Sequence, residues 1–162
     1  MSNSPSRLHQ VMDWRAAIWA GIIAGAIFLL LQMILLALVT GGSPWILPRM
    51  TAAIVLGEGA LSPPASFDVT ITLVALIIHF VLAIGFAVLI AFILHRWGLL
   101  VGIVGGALFG LCLYAINYYS VSYLFPWFFP MRNWVFLLAH IVFGALAGGI
   151  YEGLERDELV EA

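Results

Sequence analysis

Long apolar runs, separated by short breaks rich in Gly, Pro, Trp and Arg, organise this chain. Crossing a hydrocarbon core of about 30 Å takes about 20 helical residues, and in lipid only a helix or a closed barrel satisfies its own backbone polar groups. Runs of that length fall approximately at Ala16–Val39, Val69–Leu94, Gly98–Tyr118 and Asn133–Tyr151, and they predict four transmembrane helices. The alternation over about ten residues that marks barrel strands is absent. The expected fold class is all-α, a polytopic bundle forming a single membrane domain over residues 1–162.

The breaks refine this. Only His95, Arg96 and Trp97 separate the second and third runs, which predicts an antiparallel neighbouring pair. The first outer connection, Gly41 to Thr70, is long enough to hold an element of its own. Pro48 suits the first turn of a short helix carrying Met50, Ala53, Ile54 and Leu56, stopped by Gly57 and Gly59. That helix is expected to lie on the membrane surface or to cap the bundle. Pro63 and Pro64 force an extended return, and Asp68 or Thr70 can cap the second membrane helix.

Self-similarity reaches across the whole chain. Arg15 to Leu30 align without gaps on Arg96 to Leu111, pairing Gly21 with Gly102, Gly25 with Gly106 and Phe28 with Phe109. Pro44, Trp45, Pro48 and Arg49 match Pro126, Trp127, Pro130 and Arg132 with one residue inserted. Val74, Leu76, His79 and Val81 then match Val135, Leu137, His140 and Val142. The chain reads as one hairpin used twice, at about 14–94 and 95–153, with two crossings per unit and therefore a parallel repeat.

Composition sets the class. At 64% hydrophobic and 9% charged, the chain lies far from the roughly 45–50% apolar and 25% charged of soluble domains. Six Arg, no Lys and a net charge of −2 offer no basic patch for nucleic acid. Arg7 and Arg15 precede an apolar run of about 24 residues, too long for a cleavable signal, so a retained helix is expected. Arg7, Arg15, Arg96 and Arg156 fall on one side and Arg49 and Arg132 on the other, which predicts that both termini are cytoplasmic. Residues 154–162 then form an acidic cytoplasmic tail, with Glu155, Asp157, Glu158 and Glu161 following Glu152. Trp14, Trp19 and Trp97 mark the inner interface, and Trp45, Trp127, Trp134 and Tyr123 the outer one. The single cysteine, Cys112, excludes an intrachain disulfide and is expected to be a packing residue.

Candidate chemistry concentrates in two features. Gly98, Gly102, Gly106 and Gly110 recur every four residues, with Gly21 and Gly25 on the first helix and Gly144 and Gly148 on the fourth. Such seams let helix backbones approach closely in lipid. The second feature is polar. His79, His140, Gln32, Asn117 and Tyr114 bring hydrogen-bonding side chains from all four helices to the outer half, and ionisable residues inside a span are functional-site candidates. Three uses are open: neutral imidazoles bonding across helices, a path or pocket for an ion, proton or small polar solute, or ligation of one haem b iron by His79 and His140. The first two need no cofactor or metal.

Catalysis has little support. No carboxylate lies within a span, Glu58 and Asp68 are loop residues, and no phosphate loop, HExxH or GxSxG occurs. The expectation is a non-enzymatic protein. His9 and His95 lie near the cytoplasmic surface and are expected to be solvated. In the two PW loops Trp45 and Trp127 anchor at the headgroups, while Arg49 and Arg132 can reach lipid phosphate or attract an anion.

The segments IIHFVLAIGFAV, WGLLVGIVGGAL and AHIVFGALAGG, with the PW loop before the last, resemble YagU-like small inner-membrane proteins of bacteria. They also resemble a related group of about this length sometimes labelled sodium:proline symporter. The resemblance covers nearly the whole chain and implies a bacterial inner-membrane protein associated with acid stress. Four helices are too few to form two gated halves alone, so transport would call for a homo-oligomer. An accessory subunit of a larger membrane complex is a further role open to such a chain, with the lipid bilayer as its constant partner.

Overall fold

The computed structural model describes residues 8–156 and 159–161, and the apolar runs in it are helices. These are α1 (Trp14–Thr40), α2 (Ile46–Leu56), α3 (Val69–Leu94), α4 (Gly98–Tyr119) and α5 (Trp134–Leu154). Arg7, Asp157 and Glu158 lie outside the described residues. Leu8–Gln10 and Leu159–Glu161 pair antiparallel, bringing the two ends of the described chain to the same end of the bundle.

Three of the long helices start on a side-chain oxygen that satisfies otherwise orphaned backbone donors. Asp13 accepts from the backbone N–H of Arg15 at 2.9 Å and Ala16 at 3.0 Å. The Ala16 bond is the main reason its carboxyl sits below the usual carboxylate pKa. Asp68 accepts from Ile71 at 2.9 Å, the role expected of it. Asn133 accepts from Val135 at 3.0 Å and Phe136 at 3.4 Å.

α1, α3, α4 and α5 are long and apolar enough to cross a membrane, and large side chains such as Leu38, Ile77, Val81 and Leu100 stand exposed on them. That outward apolar surface suits lipid. About half of the α5 window is buried against 22–28% for the other three, and α5 packs on α1, α3 and α4 in turn. It is the axis of the bundle.

The seams explain this arrangement. A Cβ on Gly106 or Gly110 would run into the carbonyl oxygen of Gly144 or His140, and one on Gly144 or Gly148 into the carbonyl of Gly106 or Gly102. α4 and α5 therefore lie backbone to backbone. On α1, a Cβ at Gly21 would come within 2.6 Å of the Ile84 Cα, and one at Gly25 within 2.8 Å of the Ala83 Cβ. Gly98 does not belong to the seam. A Cβ there would meet nothing within 4 Å, and its φ of 77° shows that it is glycine because the turn into α4 needs the left-handed region.

The short joint of residues 95–97 keeps α3 and α4 together at that end, where Leu94 packs on Gly105. Close packing goes elsewhere, from α3 to α1 and from α4 to α5. Tyr151, 1% exposed, fills the same end of the bundle among Met12, Ala16, Ala17, Ala20 and Ala91. Its hydroxyl accepts from the Asp13 N–H at 3.3 Å and donates to Glu155 at 2.7 Å. Cys112 is exposed on α4 and does not pack inside the bundle as expected.

Gly106→Leu, which forces a side chain into the Gly144 backbone, is expected to cost at least about 1–3 kcal/mol. Gly85→Ala, whose Cβ would meet nothing within 4 Å, is expected to gain up to about 1 kcal/mol from helix propensity. Denaturant titration of both variants in detergent, read by helical circular dichroism, checks the contrast.

Candidate functional site

At the end of the bundle opposite Tyr151, the helices do not close on one another. A cavity of about 160 Å³ lies between α1, α3, α4 and α5, with α2 laid across it. Gln32, His79, Asn117 and His140 all contribute to its lining, so four of the five polar residues singled out in the spans do converge. Tyr114 does not line it. Its hydroxyl donates to the Asn133 carbonyl at 3.3 Å, tying α4 to the start of α5, while its ring packs on His140 with centroids 5.8 Å apart.

Each imidazole is oriented by a backbone carbonyl. His79 Nε2 donates to the Gly25 oxygen at 2.9 Å, a reach made possible by the close α1–α3 approach at that glycine. Nδ1 is then an acceptor, without a hydrogen-bond partner among the described residues. His140 Nδ1 donates to the Phe136 carbonyl at 2.7 Å, and its Nε2 accepts from the Asn117 amide at 3.4 Å. The two rings have different tautomers and different neighbours.

Phe28 touches both. Its ring stacks on His79 at 5.8 Å between centroids and meets His140 edge-on at 4.8 Å. A bis-histidine haem needs a free nitrogen on each ligand and a flat slot between them. Here each ring keeps one nitrogen off its carbonyl bond, Nδ1 of His79 and Nε2 of His140, and Phe28 contacts both rings.

Gln32 is the outlier of the set. It is 7% exposed, it faces the cavity, and its amide makes no hydrogen bond to any described residue. Its amide opens onto the cavity and is free to meet whatever occupies that space. Beside it the lining is aromatic, with Phe28, Phe86, Tyr118, Phe128 and Phe143, and contains no Asp, Glu, Lys or Arg.

Sequence reasoning passed over Thr51 and Ile54, which α2 turns into the cavity. The signal was there: Leu47, Met50, Thr51 and Ile54 fall at i, i+3, i+4 and i+7, one helical face carrying a single hydroxyl. Tyr118 and Phe28 were also missed, because an aromatic in a membrane run reads as ordinary packing.

The two loop arginines are turned onto their own chain. Arg49 donates through Nε to the Ser66 carbonyl at 3.1 Å and through Nη1 to that of Ala60 at 3.0 Å, closing the long loop on itself. Arg132 donates to the Tyr118 carbonyl and, at 2.9 Å, to Ser122 Oγ. Its guanidinium lies 4.1 Å from Phe129 and 4.7 Å from Tyr119, measured to the ring centroids. A cation on the last carbonyls of a helix is favourably placed. Trp45 meets Phe67 edge-on with centroids 4.9 Å apart, and Trp127 donates its indole N–H to the Met50 carbonyl at 3.0 Å. Both PW loops therefore brace α2, with each arginine bonded to its own chain.

Comparison with known protein families, with curated proteins and with solved structures finds no match to this chain. The function must be argued from its own residues.

Arg132→Met is expected to cost about 2 kcal/mol through the loss of charge-assisted bonds to Tyr118 and Ser122. Arg132→Lys should recover less than half, since an ammonium cannot fork between two acceptors and stack on two rings. Unfolding midpoints of the three proteins in one detergent decide this.

Proposed function

We propose that this protein is a non-enzymatic membrane module that binds a small uncharged molecule in the cavity beneath α2. Gln32 carries the reading: a buried amide facing an aromatic-walled cavity with its donors and acceptor unused by the described residues. Asn117 retains hydrogen-bonding capacity beyond its bond to His140, and Thr51 and His79 Nδ1 add a hydroxyl and an acceptor. A charged ligand would be buried there with no counter-charge, which is costly in a low-dielectric site. Neutral chemistry fits.

The finer architecture belongs to the same proposal. The chain is taken as one hairpin used twice, supported by the sequence alignment and by the way Gly21 and Gly102, matched positions, each meet the following long helix of their own unit. The repeat carries the histidines, His79 on His140, but not the amides, since Gln32 matches Leu113 and Asn117 matches Leu36. Placement in a bacterial inner membrane, with both termini cytoplasmic and α2 at the outer interface, rests on the Arg distribution and the likeness to YagU-like proteins. A transport or stress role would then begin with uptake from the outer leaflet, because Tyr151 and small residues pack the other half of the bundle.

Phenol and benzoate, titrated into the full chain in lipid nanodiscs at neutral pH, test this by thermal unfolding. Phenol is expected to raise the midpoint, with about 2.7 kcal/mol of stabilisation at 100 times its Kd, and benzoate to leave it unchanged. Gln32→Leu should weaken phenol binding while leaving the ligand-free protein at least as stable. Equal response to both probes, or to neither, would overturn the reading.

A further inference from the structure

The cavity does not end inside the bundle. Leu82, which lines it, is 47% exposed and stands at a mouth on the α3 side. Leu82 and Phe86 also belong to a second concavity of about 390 Å³ that runs along the outside of α3 past Gly85 and Leu89 to Phe92 and Trp14. Its walls are apolar except for the Trp14 indole N–H, and Gly85 provides its floor, with no atom within 4 Å of where a Cβ would stand. From Val81 to Phe92 it spans about 16 Å at 1.5 Å per residue. That is about half the roughly 30 Å hydrocarbon core, the depth of one leaflet.

Resting on the uncharged-ligand reading above, the geometry points to a particular class of occupant. We propose that the protein binds a membrane-soluble molecule with a neutral six-membered ring bearing hydrogen-bonding oxygens and one long apolar tail. The ring lies in the cavity, among Phe28, Phe86 and Tyr118 and within reach of Gln32 and Asn117. The tail leaves past Leu82 and follows the groove over Gly85. Three observations carry this. The cavity volume, about 160 Å³, is close to the roughly 150 Å³ of an apolar protein cavity that takes up benzene. The aromatic walls, the unused Gln32 amide and the remaining capacity of Asn117 suit a planar, oxygenated headgroup rather than an aliphatic one. The apolar groove shares two residues with the polar cavity, so one molecule can occupy both. Isoprenoid quinols and long-chain alkylphenols are two natural sources of this chemistry.

Because the bilayer already shelters a tail from water, the groove adds packing rather than a full hydrophobic gain, and the tail advantage is expected to be modest. The test uses the full chain in nanodiscs, with ligand expressed as mole fraction of lipid and binding read by thermal unfolding. Decylhydroquinone, hydroquinone and decanol supply ring with tail, ring alone and tail alone. Decylhydroquinone is expected to half-saturate at a mole fraction at least fivefold below either of the others. Gly85→Leu, which fills the groove, should erase most of the difference between decylhydroquinone and hydroquinone; Leu89→Trp repeats the test on the groove wall should Gly85→Leu fold poorly. A methyl-branched isoprenyl hydroquinone and a decylphenol, compared directly, separate the two natural sources by which binds tighter. If decanol matches decylhydroquinone, or if both groove variants keep the full tail advantage, the inference is overturned. Hydroquinone binding that persists without any tail effect would leave the uncharged-ligand reading standing, whereas no binding by either ring compound would remove both.

Discussion

Backbone contact between α4 and α5 sets the geometry on which the cavity depends. In lipid there is little hydrophobic force to hold helices together, so association relies on close van der Waals approach, which small residues permit. Gly102, Gly106 and Gly110 meet Gly144, Gly148 and the His140 backbone with no room for a Cβ on either side. Once α4 is held there, it cannot also close on α3, although only three residues join them. α3 is held in turn on α1 through Gly21 and Gly25. The two hairpins therefore diverge from the 95–97 joint, and the space between α3 and α4 at the other end is filled by side chains only in part. Packing at one set of positions creates the opening at another.

Most polar groups inside the bundle spend their donors on backbone carbonyls, whereas Gln32 makes no such bond among the described residues and faces the cavity. His79 and His140 each spend their N–H on a carbonyl, and Tyr114 donates to that of Asn133. The loops do the same with Arg49, Arg132 and Trp127, which cover carbonyls of the first loop, the end of α4 and α2. This matters for the cavity because α2 is its cover. α2 carries Leu47, Met50, Ala52 and Ala53 inward, but its place over the mouth is secured from both loops, by the Arg49 bonds beneath it and by the Trp127 bond to Met50.

The helices were legible because lipid makes the rules strict: a run must be about 20 residues long and uniformly apolar, and Gly, Pro or a capping residue must end it. The second run, Val69–Leu94, coincides with α3, and Asp68 caps it as its position suggested. Gly98 misled, because a four-residue period cannot distinguish a seam glycine from one required by a positive φ one turn earlier. The polar cluster was legible as a level in the membrane, but its members' duties were not. Tyr114 and Gln32 look alike in sequence, each a polar residue in an apolar run. One faces a cap and the other a cavity, a difference set by helix rotation about neighbours that only the seams determine. Likewise nothing local in Trp45–Arg49 or Trp127–Arg132 reveals that backbone carbonyls turn toward the two arginines.

Gln32 shows why the cavity is more than a packing fault. A void left by imperfect packing of apolar helices would be lined by the residues those helices are made of, and Leu, Ile or Met at position 32 would fill part of this one without leaving an amide unpaired. Instead the walls near it carry Asn117, Thr51 and the acceptor nitrogen of His79, drawn from three other helices. Each of these groups alone is tolerable in a membrane protein; their convergence on one aromatic-walled space leaves hydrogen-bonding capacity that costs free energy wherever it goes unmet. A protein stabilised by glycine packing elsewhere can carry that cost, and a ligand that meets the amides recovers it. The ligand's charge is limited as well, because no Asp, Glu, Lys or Arg lines the cavity and the two loop arginines, Arg49 and Arg132, are engaged with carbonyls outside it.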